Sequence, residues 1–94
     1  MMFQVTEAAL KALYRGRIDA AHPEGEAMRL IKEGDGFGFK LGAARLTDMV
    51  FQHEGQDVLL VASVLNRTMG HMRLDAVTRN GKNTFVLNEQ PISK

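Results

Sequence analysis

Asp48-Met-Val-Phe-Gln-His-Glu-Gly-Gln-Asp-Val-Leu-Leu-Val61 decides how this chain is read. Two short apolar runs, Met49–Phe51 and Val58–Val61, flank the turn residues Glu54-Gly55-Gln56. Runs of that length separated by a glycine turn predict two antiparallel strands rather than a helix. Downstream, Asn80-Gly81 carries the strongest short hairpin signal, because a type I′ turn needs positive φ at both central residues. Counting outward from it pairs Arg79 with Lys82, Val77 with Thr84, Ala76 with Phe85 and Leu74 with Leu87. Strand side chains alternate, so Leu74, Ala76, Phe85 and Leu87 fall on one face, and a one-residue slip would scatter them.

Upstream the period is helical. Thr6 is a good N-cap, and Glu7 places negative charge in the first turn. Ala9, Leu10, Leu13, Tyr14 and Ile18 recur at three- and four-residue spacing, one buried stripe of a helix that His22-Pro23 breaks. A short strand over Phe3-Gln-Val5 precedes it. Met28-Arg-Leu-Ile31 reads as a strand leading into the glycine cluster Gly34-Asp-Gly-Phe-Gly-Phe39. Between the hairpins, Ala62 to Met69 predicts a short helix ended by Gly70.

These motifs, in this order, resemble the HesB/IscA family, the A-type carriers of iron–sulfur cluster assembly. The resemblance runs from about Met28 to Asn88. It rests on the loop Glu33-Gly34-Asp35-Gly36-Phe37-Gly38-Phe39, then Asp48, Val50, Phe51, Gly55, Val58 and Leu60, then Ser63 and Leu65, Leu74-Asp75, and Phe85-Val-Leu87-Asn88. It implies a mainly β (α+β) fold, with an N-terminal helix followed by two antiparallel hairpins in a mixed, sandwich-like single domain over residues 1–94. In the family the loop carries a ligand cysteine and a Cys-Gly-Cys tail follows the last strand. Here Gly34 stands at the first ligand position, Asp35 at the following serine and Gly36 at the glycine, and the tail reads Gln90-Pro-Ile-Ser-Lys94. The chain has no cysteine. The resemblance thus implies the framework without its three thiolate ligands.

Composition sets the outer bounds. Ninety-four residues, 45% hydrophobic and 24% charged, are ordinary globular values for one domain. A net charge of +1 gives no reason to expect a nucleic-acid or anionic-membrane surface. No apolar run approaches a membrane span and no leader pattern opens the chain, so a cytoplasmic location is the default expectation. Cysteine-free sequence excludes disulfides and thiolate chemistry.

Candidate site residues are few. The Gly34–Gly38 cluster invites a phosphate cradle, but no Lys-Ser or Lys-Thr follows, and a tight bend between two strands is the simpler reading. His22, His53 and His71 lie far apart without ligand spacing, which predicts solvated turn or strand-end histidines and no metal site. Among the methionines, Met28, Met49 and Met72 occupy apolar strand positions and read as core, while Met69 beside His71 is the pair to watch. Asp35, Asp48, Glu54, Asp57, Asp75 and Ser63 show no spacing that forces convergence on a catalytic centre. Arg73, Arg79 and Lys82, offset by Asp75 and Glu89, read as a solvated hairpin face. The expectation is therefore a non-catalytic binding or accessory module with no cofactor. Gly34, Asp35, Gly36, His53 and His71 are the residues to follow should a ligand bind. A ligand pocket or small enzyme using the Gly34–Phe39 loop and histidines is one rival. The other is a homo-oligomeric structural protein, because open strand edges and uncovered sheet faces favour a homodimer. Iron–sulfur assembly proteins are the partners that the resemblance implies.

Overall fold

Glycine turns and short polar loops cut the chain into seven strands and two helices, in a computed structural model that describes residues 2–90. In order these are β1 (Gln4–Val5), α1 (Glu7–Asp19), β2 (Glu26–Glu33), β3 (Gly36–Ala43), β4 (Met49–His53), β5 (Gln56–Val61), α2 (Ser63–Thr68), β6 (Met72–Arg79) and β7 (Lys82–Glu89). They form a three-stranded sheet, β1-β6-β7, and a four-stranded sheet, β3-β2-β5-β4. Each is mixed: β1 runs parallel to β6 and β2 parallel to β5, while the hairpin partners are antiparallel. Residue 1 and the 91–94 tail, with its comparison to the Cys-Gly-Cys segment, lie outside the described residues.

The turn chemistry explains the hairpins. Asn80 and Gly81 have φ of 52° and 77°, and Glu54 and Gly55 have 53° and 75°, the paired positive values of a type I′ turn. The β6–β7 register follows from the first: Arg79 opposes Lys82, Ala76 opposes Phe85 and Leu74 opposes Leu87. A third hairpin, β2–β3, corrects the expectation of two. Gly34 at φ 54° and Asp35, which keeps negative φ, form its two-residue turn in the pattern of type II′. The tight bend between two strands expected at the glycine cluster is this turn, although Gly36, Gly38 and Gly42 supply none of the β-branched side chains that usually mark a strand. β3 nevertheless alternates: Phe37 and Phe39 pack on the core, and the side chain of Glu33 lies over Gly38, where an added Cβ would meet its carboxylate at 1.9 Å.

Two aromatic pairs tie the sheets together. Phe3, just before β1, meets Phe51 of β4 edge-to-face with ring centroids 6.4 Å apart, and Phe39 of β3 meets Phe85 of β7 at 5.1 Å. Leu30, Leu59, Val61 and Leu74 fill the space between, with Met28, Met49, Met69 and Met72 packed around them. Helix α1 bridges both sheets through contacts with β4, β5 and β6. Its buried face is Ala9 and Leu13, flanked by Leu10 and Tyr14. Ile18, expected on that stripe, is 56% exposed, a correction to the reading of the last helical turn.

Both ends of α1 are fixed by specific bonds. The Thr6 hydroxyl accepts from the Ala9 N–H at 3.2 Å and donates to Asp75 Oδ1 at 2.7 Å, which pins the helix start to β6. The helix stops at Asp19 rather than at His22-Pro23. Ala21 adopts φ 51°, and the N–H groups of Ala21 and His22 return to the carbonyls of Ile18 and Arg17, the bond pattern of a Schellman motif. Alanine is a poor signal for that conformation. Arg17 holds the connection by donating to the carbonyls of Glu26, Asp57 and Pro23.

The β3–β4 connection is held by the one buried ion pair among the described residues. Arg29 of β2 grips Asp48 with two parallel bonds of 2.8 and 2.6 Å and also donates to the Ala43 carbonyl at 3.2 Å. Asp48 Oδ2 accepts the Arg45 N–H as well, at 2.7 Å, and only 1% of the Asp48 side chain is exposed. The Arg29 guanidinium hydrogen bond holds the Asp48 carboxyl below the usual carboxylate range, against the opposing effect of burial. The same bond raises Arg29. Leu46, at the tip of the turn so pinned, is fully exposed. Among the described residues no helix is long and apolar enough to cross a membrane.

Candidate functional site

A turn at the start of β6 and the β2–β3 hairpin together shape a cleft of about 500 Å³. Phe37, Met69, Met72 and Leu87 make its apolar wall, and Lys32, Asp35, Thr68 and His71 its polar rim, with Gly36 between. A concave apolar wall with a few polar groups at its edge is the usual form of a small-ligand site. Three of the five residues singled out from sequence, Asp35, Gly36 and His71, thus come together here, and Gly34 sits beside them in the β2–β3 turn.

His53 does not join them. It lines a different cleft with Tyr14, Lys11 and Arg15 of α1 and Thr78 and Asn83 of the last hairpin. Nor is it solvated as expected: its side chain is 15% exposed and stands edge-to-face on Tyr14, with ring centroids 5.3 Å apart. Its Nδ1 lies 3.8 Å from Glu7 Oε1 and its Nε2 4.0 Å from Glu54 Oε1. The hairpin turn folds this end of β4 back against α1, which sequence spacing does not reveal. His22 is half-buried and faces Met28, Phe39 and Phe85, while His71 is exposed as expected.

The carboxylates are mostly committed to structure. Asp48 is bound to Arg29, and Asp57 accepts from Gln52 Nε2 at 2.7 Å. Asp75 accepts from both Thr6 and the Ala76 N–H, and the Thr6 hydrogen bond holds its carboxyl below the ordinary range. The hairpin face expected to be solvated is therefore partly engaged: Asp75 holds the capping hydroxyl of Thr6, and Arg73 is half-buried with its Nε unpaired. Among the described residues no three of His, Asp and Glu gather as a metal site would require.

Gln90 is a residue the sequence did not single out. It is buried, and its Nε2 donates to the carbonyls of Gly70 and Met72 at 2.9 Å and of Met2 at 2.6 Å. Its backbone N–H donates to the His71 carbonyl at 2.8 Å. One side chain thus locks the turn that forms one wall of the cleft to the end of the chain described here. Nothing in a glutamine after a strand announces that role, because its partners are backbone carbonyls distant in sequence.

No family model matches the sequence, and no curated protein matches it. Comparison of folds is decisive instead. The chain superposes on a crystal structure of IscA with the [2Fe–2S] cluster at a TM-score of 0.62, with 18% identity over 94% of this chain and 85% of that one. The chain has the HesB/IscA-like fold. SufA of Escherichia coli, described as involved in biosynthesis of iron–sulfur clusters, matches at a TM-score of 0.58 and 25% identity, over 93% of this chain and 84% of its own. A protein from Aquifex aeolicus solved by NMR matches at 0.63 and 19%, over 94% and 91%. Cluster ligation is where this HesB/IscA-like chain departs from the chemistry of such a cargo. An iron–sulfur centre is held by four cysteine thiolates, and even a Rieske centre keeps two. This chain has none, and Gly34, at the β2–β3 turn, brings no side chain at all. The residues present do not fit an iron–sulfur cluster.

Proposed function

We propose that this protein is a single-domain, non-catalytic accessory module of iron–sulfur cluster assembly, working in the cytoplasm as a binding partner and not as a carrier. The observation that carries the reading is the pairing of an HesB/IscA-like fold with a cysteine-free chain. The framework and its turns are kept, while the thiolates that would receive a cluster are absent. A protein of that kind acts through its surface, by occupying the place of a carrier or by binding one. The commitment of Asp48, Asp57 and Asp75 to structural bonds supports the non-catalytic half of the proposal, since it takes three of the candidate carboxylates out of acid–base work. Affinity capture of the tagged full chain from its own cell tests the pathway link. Cluster-assembly proteins enriched over an untagged control are expected. Their absence from a capture that recovers other specific partners would leave the fold and remove the pathway.

A homodimer belongs to the same reading. Val50 and Val64 are exposed, Leu46 stands fully in solvent on a rigid turn, and β1, β7, β3 and β4 are the edges of their sheets. Such a surface favours an isologous pair, with one patch used on both subunits.

A further inference from the structure

Met69-Gly70-His71-Met72 places two thioethers and an imidazole on four consecutive residues, and the fold closes that stretch into a turn. The Met72 N–H donates to the Met69 carbonyl at 2.9 Å. A turn so closed brings its end Cα atoms within about 7 Å of each other. Met69, His71 and Met72 all line the cleft between this turn and the β2–β3 hairpin.

Hydrogen bonds tie the backbone of the turn down. All four of its carbonyls are engaged: Met69 by Met72 N–H, His71 by the Gln90 N–H, and Gly70 and Met72 by Gln90 Nε2. With the backbone satisfied internally, the side chains are the groups left to interact with a ligand. Donor groups held by a locked backbone lose little freedom on binding, which is the condition for a preorganised site. Both methionines also pack against the core while lining the cleft.

We propose that Met69, His71 and Met72 form a binding site for a soft monovalent metal ion, Cu(I). Thioether sulfur is a soft, neutral donor that selects Cu(I), and imidazole suits copper as well. The donor set disfavours harder ions. Zinc favours thiolate, imidazole or carboxylate ligands in fours, and among the described residues no three of His, Asp and Glu converge. The pair Met69 and His71 stands out in the sequence, whereas Met72 reads there as core and joins them only through the closed turn. The proposal does not rest on the iron–sulfur pathway: it concerns other donors and another metal, and its test needs no cluster protein.

The test is anaerobic titration of the full chain with Cu(I) held by a chromogenic chelator of known affinity, read as chelator bleaching. One Cu(I) per chain is expected. Met69→Leu and Met72→Leu conserve volume and should keep the fold. Each is expected to weaken binding at least tenfold, as is His71→Gln, and the Met69→Leu/Met72→Leu pair to abolish it. Met28→Leu, away from the cleft, is expected to leave binding unchanged. NMR with Ag(I) as a redox-inert substitute should shift the methyl signals of Met69 and Met72 and the ring of His71. No uptake of Cu(I), uptake that survives the double substitution, or an equal uptake of zinc at these residues would each overturn the proposal.

Discussion

Asp48 shows how one carboxylate fixes a loop. With 1% of its side chain exposed and Arg29 clasping both oxygens, it turns the β3–β4 connection into a fixed support for Leu46. Buried pairs of this kind contribute little over an apolar pair of the same shape, yet breaking one is costly because an unpaired charge stays buried. Arg29→Met is expected to lower stability by about 3–5 kcal/mol in denaturant titration. Arg29→Met combined with Asp48→Leu should cost less than Arg29→Met alone. The pH dependence has a definite sign. Asp48 titrates lower in the folded chain than the ~3.9 of an unfolded aspartate, so its contribution is complete above that value and lost as pH falls through the folded one. Asp75 acts in the same direction. The denaturant midpoint should therefore fall as pH drops below about 4, with a shallower fall in Asp48→Asn.

Elements were legible where a turn residue dictates its own geometry. Asn80-Gly81 gave the β6–β7 register residue by residue, since both positions needed positive φ and have it. Gly81→Val puts a β-branched side chain at φ 77°, and a loss of about 1–3 kcal/mol is expected, seen as a lower midpoint at unchanged m-value. Legibility failed where structure comes from distant bonds. The end of α1 is set by Ala21 in a left-handed conformation and by Arg17 reaching three carbonyls, and an Ala-Ala pair reads as more helix. Ala21→Gly should thus stabilise the protein, by about 1 kcal/mol, measured in the same titration. β3 was legible as the strand beyond the glycine bend through Phe37 and Phe39, but its extent to Ala43 was not, because Gly36, Gly38 and Gly42 carry no side chain to mark it. In the candidate cleft, Asp35, Gly36 and His71 were readable as residue types and grouped in the rival pocket reading, but together with His53, which lines another cleft; the closing of the turn that presents His71 was not readable. It depends on Gln90, which ties the turn at residues 69–72 to the end of β7.

At the scale of the molecule, a framework held by turns, aromatic pairs and one buried ion pair reproduces the HesB/IscA-like fold at 18–25% identity to the solved structures it resembles. Fold recognition survives such divergence because it depends on alternation, glycine turns and core volume, which many residues can supply. The thiolates that hold a cluster depend on one residue type, and the chain has no cysteine. The uncovered surface around Leu46 makes association a separate question. Light scattering through a dilution series is expected to give a dimer mass at micromolar concentration, and Leu46→Asp to shift it toward monomer; a monomer mass throughout would assign that surface to another partner. The central claim, an HesB/IscA-like module that holds no cluster, is tested most directly by anaerobic reconstitution with ferrous iron and sulfide, followed by gel filtration. The account predicts protein without bound iron or sulfide and without the visible charge-transfer bands of a cluster. A stoichiometric chromophore that stays with the protein through the column would contradict it.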